Sequence, residues 1–387
     1  MDGNHPVDPV ALTQALVRCP SVTPNDGGAL DLLEETLTGI GFRCTRLPFS
    51  EEGTPSVDNL YARIGDQAPH LCFAGHTDVV PVGDASAWAG EPFSGEIRDN
   101  QVYGRGTSDM KGAIAAFVAA AARVIANGPL DGSLSMLITG DEEGPAINGT
   151  RKMLEWLVKE GETPDHCIVG EPTNPAAMGE MIKIGRRGSM NGIITVTGLQ
   201  GHVAYPDRNR NPVPGLVRIL SGLKTGPLDE GNEHFQPSNF EVTAIDVGEP
   251  AHNVVPGFAR ALFNVRFSTL HKSDDLKDMI RDQCDKAGVE HDLAFHLKGE
   301  PFLCEPGRLV QALSTAIESR LGRRPELGTT GGTSDARYIA PLCPVAEFGL
   351  VGATMHAVDE QAGVGDIEAL ADIYELVINE IMGAKTS

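Results

Sequence analysis

The 387-residue chain has no run of the roughly 18 to 20 apolar residues that a membrane-crossing helix needs, so no membrane partner is expected. Its first residues, MDGNHPVDPVALTQALVRCPSVTP, lack a basic stretch followed by an apolar one; no secretory signal is read, and a cytoplasmic location is the expectation. Cysteine is scarce and unpatterned. Cys19, Cys44, Cys72, Cys167, Cys284, Cys304 and Cys343 are odd in number and never stand as CxxC, which argues against a disulfide framework and against a thiolate zinc site. Basic residues are few, 31 Lys and Arg against 53 Asp and Glu, for a formal net charge of -22. Such a field repels nucleic acid and anionic membranes and accumulates cations, so nucleic acid is not expected as a partner.

What is present is a glycine-rich, 41% apolar chain long enough for two domains. Asp8 and Pro9 can open a first helix, and ALDLLEETLTGIGF supplies a second. Strands follow at NLYARIG, HLCFAG, SLSMLITG and HCIVGE. Between the middle two lies DMKGAIAAFVAAAARVIANG, where Ile114, Phe117, Val118, Ala121, Val124 and Ile125 are spaced as one helical face and Gly128 stands as a stop. Short apolar strands alternating with helices predict an α/β domain with a mostly parallel central sheet covered on both sides. From about residue 188 the pattern changes to longer half-polar strands in the order βαββαβ, an independent α+β domain inserted into the first. The expected division is 1–187 for the first part of the α/β domain, 188–297 for the insertion and 298–387 for the return.

Several strands of the first domain end alike. LCFAG leads to His76 and Asp78, SMLITG to Asp141, Glu142 and Glu143, HCIVG to Glu171, and VAEFGL to the loop holding His356; Asp109 opens the Ala-rich helix. In open α/β sheets ligands bind beyond the carboxyl ends of the strands, so these side chains should converge on one edge. Singly, each has an ordinary reading: a loop histidine, a solvated acidic turn, a helix N-cap. Together they would repel and desolvate one another unless cations neutralised them. If Asp109, Glu143, Glu171, His76 and His356 are ligands, three carboxylates and two neutral imidazoles face two divalent ions, and one hydroxide completes neutrality. Mixed nitrogen and oxygen donors suit a two-zinc site better than magnesium or calcium. The Gly-rich stretches GRGTSD and GTTGGTSD do not fit a nucleotide site: the first has an acid where a dinucleotide fingerprint needs its third glycine, and the second lacks the Gly-Lys-Ser/Thr of a P-loop.

The segments GHTDVVPVGDASAWAGEPFSGEI, YGRGTSDMKG, DEEG, GEPT, GRRGS, GHVAYP, GGTSDAR and MHAVDE, in this order and spanning nearly the whole chain, resemble the two-zinc deacylase and exopeptidase family that includes acetylornithine deacetylase and glutamate carboxypeptidase. The resemblance implies an amide hydrolase with two Zn2+ per subunit, Co2+ being able to substitute, and an inserted domain serving as lid and dimer contact in a homodimer. It implies His76 and Glu171 on one ion, Glu143 and His356 on the other, and Asp109 bridging both. Asp78 would accept the second ring N–H of His76, and Glu142 would be the general base. His202, supplied by the partner subunit, would donate to the developing oxyanion. IGRRGS, GLQGHVAYP and GGTSDAR point to a branch acting on a small, carboxylate-rich acyl amino acid, with acetylornithine deacetylation or dipeptide cleavage as the alternative. Lys183, Arg186, Arg266 and Arg337, with Tyr205, Asn253 and Thr333, are the implied substrate contacts, and guanidinium groups suit carboxylates; Arg187 is equally readable as a surface ion-pair member. Ala336, Thr107, Ser108 and Asp359 depart from the common pattern and touch no implied ligand.

Overall fold

The computed structural model describes residues 7–248 and 251–383. The chain divides into two compact units. The first is residues 1–184, 304–328 and 334–387; the second is 185–303 with 329–333.

In chain order the first unit lays down β1 (Arg43–Arg46), β2 (Leu60–Ile64), β3 (His70–His76), β4 (Ser133–Thr139), β5 (His166–Val169) and β6 (Met181–Lys183). The second unit supplies β7 (Gly188–Thr197), β8 (Asn239–Asp246), β9 (Phe258–Phe267) and β10 (His291–Gly299). The chain then returns with β11 (Glu326–Gly328) and β12 (Val345–Glu347). The sheet of the first unit has the order β1-β2-β4-β3-β5-β12-β6-β11. Its centre is parallel: β3 pairs with β4 and β5, and β5 with β12; antiparallel β1 and β2 close one side. β3 and β4 are buried along their whole length, as strands covered on both faces must be, and this explains their nearly unbroken apolar sequence.

Besides the helices given ranges below, the chain forms α2 (Ala29–Gly39), α4 (Thr150–Lys159), α7 (Arg308–Leu321) and α8 (Ala336–Ile339), and the helices follow local signals. In α1 (Pro9–Val17) Asp8 Oδ1 accepts from the amides of Val10 and Ala11, at 2.8 and 3.1 Å, and Pro9 occupies the first turn, where no N–H is needed. The Ala-rich helix α3 (Gly112–Ala126) differs from expectation. It is not a one-faced helix: every residue from Gly112 to Ala122 is buried. Its alanines let α1 and the C-terminal helix α9 (Val364–Met382) approach closely, so the helix is enclosed rather than laid on a surface. Phe117 of α3 stacks on Phe73 of β3 at 4.5 Å between centroids, and Tyr374 of α9 meets both edge-on at 5.6 and 5.7 Å. Each such ring pair adds roughly 0.5 to 1.5 kcal/mol beyond its burial. This cluster pins the middle of β3, six residues of which lead directly to His76.

The second unit is an antiparallel sheet, β8-β9-β7-β10, whose inward residues pack on α5 (Val213–Leu223) and α6 (Ser273–Lys286). The element order is βαββαβ. The compact unit runs from Gly185 to Leu303, where Gly185 and Arg186 pair with Leu303 and Phe302.

Candidate metal centre

Five of the residues lie at or after the ends of four strands. His76 is the last residue of β3, Glu142 and Glu143 follow β4, Glu171 follows β5, and His356 stands in the loop after β12. Asp109 comes from one wide turn, Thr107–Lys111, ahead of α3, and its backbone is extended there (φ -122, ψ 95), so it caps no helix. Met110 reaches back over the strand ends. A Cβ on Gly75 or Gly170, the residues before His76 and Glu171, would come within 2.6 Å of the Met110 Cε, so a side chain at either position would have to displace Met110.

These placements bring imidazole and carboxylate together. His76 Nε2 is 3.2 Å from Asp109 Oδ1 and 3.9 Å from Glu171 Oε1. On the other side of Asp109, His356 Nε2 is 2.9 Å from Oδ2 and 2.7 Å from Glu143 Oε1. The two oxygens of Asp109 thus face two separate imidazoles. Donor atoms of His76, Asp109 and Glu143 lie within 4.8 Å of one another, as do those of His76, Glu142 and Glu171. His76, Asp109 and Glu171 are buried, while the His356 side chain is 44% exposed and leaves one side open.

Asp78 departs from its expected role. The nearest acceptor to His76 Nδ1 is the backbone carbonyl of Asp78, at 2.9 Å; its carboxylate is 3.7 Å away. That carboxylate is occupied elsewhere, accepting the amides of Glu142 and Glu143 at 3.2 and 3.1 Å and the Thr23 hydroxyl at 2.6 Å. Three donors satisfy it, so the ring N–H turns to the carbonyl. This bond fixes a proton on Nδ1, so Nε2, which faces Asp109 and Glu171, is the nitrogen placed to bind a cation. Asp141, next along the same turn, accepts the amides of Ala146, Ile147 and Asn148, so the carboxylate-bearing loop is fixed at both ends. Thr23 and Asp141 carry no sequence signal for these roles: the Thr23 hydroxyl meets a carboxylate 55 residues away, and Asp141 accepts backbone amides that any residue type could offer.

The electrostatics show a strong demand for positive charge. Burial disfavours a charged His76, but the facing carboxylate of Asp109 and the charges of Glu142 and Asp78 outweigh it and raise its pKa well above the usual value. Hydrogen bonds to Asp109 and Glu143 push His356 up to about 10. Asp109 is held well below the carboxylate range, the two imidazoles overcoming its burial. Burial drives Asp78 up to about 6, against the pull of His76 and its three donors. Glu142 is raised well above the usual range, first by burial and then by Glu171 and Asp335.

Of the implied substrate contacts, Lys183 and Arg337 belong to the first unit and both are largely buried. Arg337 donates to the Ser334 carbonyl at 2.8 Å, and its guanidinium lies 4.4 Å from the centre of the Tyr338 ring. The others belong to the second unit. There Arg186 donates to the Gly332 carbonyl at 3.3 Å, beside Thr333, and Arg266 to Asn264 Oδ1 at 3.0 Å; the Arg187 guanidinium, which bonds Asn239 Oδ1 at 3.3 Å, is close enough to Arg266 to lower its pKa further after burial. His202, Tyr205 and Asn253 form a separate exposed group. His202 Nδ1 accepts the Ala204 amide at 3.1 Å, which puts the ring proton on Nε2, and the Asn253 carbonyl accepts the Val203 amide at 3.0 Å.

Residues 72–380 match the profile of peptidase family M20/M25/M40. The chain belongs to that family. Relatives in it include succinyl-diaminopimelate desuccinylase of Rhodospirillum centenum, 56% identical over 96% of both chains, and that of Parvibaculum lavamentivorans, 54% identical over 99% of this chain and 98% of the other. The enzyme of the same name from Caulobacter vibrioides is 55% identical, covering 98% of this chain and 97% of the other. As an M20/M25/M40 hydrolase the chain also shares its fold with distant solved members. An M20 metallo-carboxypeptidase from Sulfolobus solfataricus superposes with a TM-score of 0.79 at 18% identity, over 97% of this chain and 99% of that one. A dinuclear metal binding peptidase from Bacillus subtilis does so with a TM-score of 0.69 at 15% identity, over 97% and 98%. Among the described residues no helix is long and apolar enough to cross a membrane.

Proposed function

We propose that this M20/M25/M40 hydrolase removes succinate from N-succinyl-LL-2,6-diaminopimelate to give LL-2,6-diaminopimelate, a step in lysine and cell-wall precursor synthesis, acting as a cytoplasmic homodimer with two zinc ions per subunit. One observation carries the substrate: relatives bearing that activity in their names are more than half identical along almost the entire chain.

The donor set fits a pair of divalent ions. Asp109 Oδ1 is buried with no aligned hydrogen-bond donor, although His76 Nε2 stands 3.2 Å away. Donors on a tetrahedral zinc with bonds of about 2.0 to 2.2 Å lie roughly 3.4 Å apart, and the His–carboxylate separations of 2.7 to 3.9 Å span that value. His76 and Glu171 would hold one ion, Glu143 and His356 the other, with Asp109 shared; cobalt offers the same coordination. The bound ions supply Lewis-acid polarisation of the amide carbonyl and acidify water near neutral pH.

The remaining steps belong to side chains. Glu142 takes a proton from the attacking water as its oxygen bonds to the succinyl carbonyl carbon. When the C–N bond breaks, it returns that proton to the departing amine nitrogen. Burial and its acidic neighbours raise the Glu142 carboxyl above the usual range, which strengthens it as a proton acceptor. Asp78, through the amides of Glu142 and Glu143, orients the base. His202, with its proton on Nε2, donates to the carbonyl oxygen as it gains charge, reaching it across the dimer. Lys183, Arg186, Arg266 and Arg337 take the substrate carboxylates, with Tyr205, Asn253 and Thr333 as hydrogen-bonding partners. Their local positive charge offsets the net charge of -22.

A substrate panel on purified protein, with elemental analysis of the same sample, tests the reading. Zinc-loaded enzyme should hydrolyse N-succinyl-LL-diaminopimelate at least a hundredfold faster than N-acetylornithine or dipeptides. The reverse order of rates would transfer the assignment to those sister activities.

A further inference from the structure

Arg105 and Glu360 form an ion pair at 2.7 Å, 3% and 0% exposed, which none of the steps above uses. Burying two charges is costly unless hydrogen bonds satisfy them, so their partners show what the pair is for. Glu360 Oε1 accepts three amides of one turn: Gly106 at 3.1 Å, Ser108 at 3.0 Å and Asp109 at 3.1 Å. Its other oxygen accepts Arg105 Nη1. Arg105 in turn donates to the carbonyls of Ala357 at 3.2 Å and His356 at 3.3 Å. The Gly104 amide bonds the Glu360 carbonyl at 2.9 Å, and the Trp88 ring lies 5.2 Å from the guanidinium carbon.

The pair therefore grips the backbone of two residues whose side chains meet at 2.9 Å, Asp109 and His356. His356 needs such a grip. Its φ of +62 is in the left-handed region, unusual for a residue with a β-carbon, and holding its carbonyl by Arg105 keeps it there. The Glu143 amide, by contrast, is held by Asp78.

We propose that Glu360 and Arg105 are positioning residues that set the spacing of Asp109 and His356, and so hold the second metal position, that of Glu143 and His356, in register with the first. This rests on the two-ion reading above. The contacts act on backbone, so the effect falls on metal affinity rather than on proton transfer.

The test is zinc titration of the full-length, chelator-stripped protein by calorimetry, with cobalt absorption spectra as a second readout. Wild type should take two ions. Glu360→Ala should bind the first within about twofold of wild type and the second at least about tenfold more weakly, the size of loss usual when a residue behind a metal ligand is removed. Glu360→Gln, which keeps an oxygen for the three amides but loses the charge facing Arg105, should fall between. Two unchanged affinities in Glu360→Ala overturn the inference, as does an equal loss at both positions accompanied by a lower melting temperature of the metal-free protein. Should Glu360→Ala not fold, Glu360→Gln is judged by the same criterion, and an unchanged second affinity overturns it. A wild-type protein that takes up fewer than two ions removes the two-ion reading itself, and this inference with it.

Discussion

The two units present their functional side chains in opposite ways. In the first, the acidic and imidazole groups sit at the ends of fully buried strands, and the turns that carry them are tied by carboxylates accepting backbone amides: Asp78, Asp141 and Glu360. In the second, His202, Tyr205 and Asn253 are exposed on a short two-stranded ladder and the turn beside it, tied by backbone bonds and by the Asn209 side chain. The difference fits a division of labour. Groups held at fixed separations are built on a rigid sheet edge, whereas the exposed groups of the second unit stand on surface that can adapt.

Removing the base is the hardest test of that division. Glu142→Gln keeps the shape and the backbone amide that Asp78 accepts, so it should retain its metal while kcat falls by about three orders of magnitude, within the range for a positioned general base. A mutant of unchanged turnover would reject the assigned base. The corresponding probe of the exposed unit is His202→Ala. Loss of an oxyanion donor lowers kcat about 100-fold or more, and with 202 at the surface, metal content and melting temperature should not move. A kcat within twofold of wild type would reduce His202 to a loop residue bonded to its own backbone.

The sequence made the first unit readable because its logic is one-dimensional. Parallel strands end in one place, so the residues after SMLITG, HCIVG and HLCFAG had to meet, and their residue types restricted what could lie between them. What escaped depended on partners far along the chain. Whether the Asp78 carboxylate turned to the His76 ring or to the next turn was decided by Thr23, 55 residues away, and by two amides that any residue type could have offered. Glu360 looked no different from its neighbour Asp359, whose carboxylate bonds the Ala89 amide; only the folded chain separates a buried clamp from a loop contact. The enclosure of α3 was hidden for another reason. A helix of alanines between two larger apolar helices has the same spacing of Ile, Phe and Val whether one face is covered or all. A two-residue ladder such as Gly185–Arg186 with Phe302–Leu303 has no periodicity to detect, so it left no trace in the sequence.

The smallest expected effect probes the buried polar character of the first unit away from the metal centre. His70, at the start of β3, is 4% exposed, and its Nε2 lies 2.8 Å from the Ser135 hydroxyl. Burial, helped by the charge of Arg63, lowers its pKa to about 4. In the unfolded chain a histidine takes up its proton near 6.5, so between these values the unfolded state binds more protons than the folded one. Stability from this group is therefore complete above pH 6.5, drains away as pH falls toward 4, and loses nothing further below that. Glutamine can place its amide nitrogen near the position of Nε2 and does not titrate. In chelator-stripped protein, where no ligand equilibrium intrudes, the melting temperature of His70→Gln should fall less than that of wild type between pH 6.5 and 4, by a few degrees. Parallel curves for the two proteins would mean that His70 ionises in the folded state almost as it does in water, and that the strand beneath His76 is more open to solvent than its burial indicates.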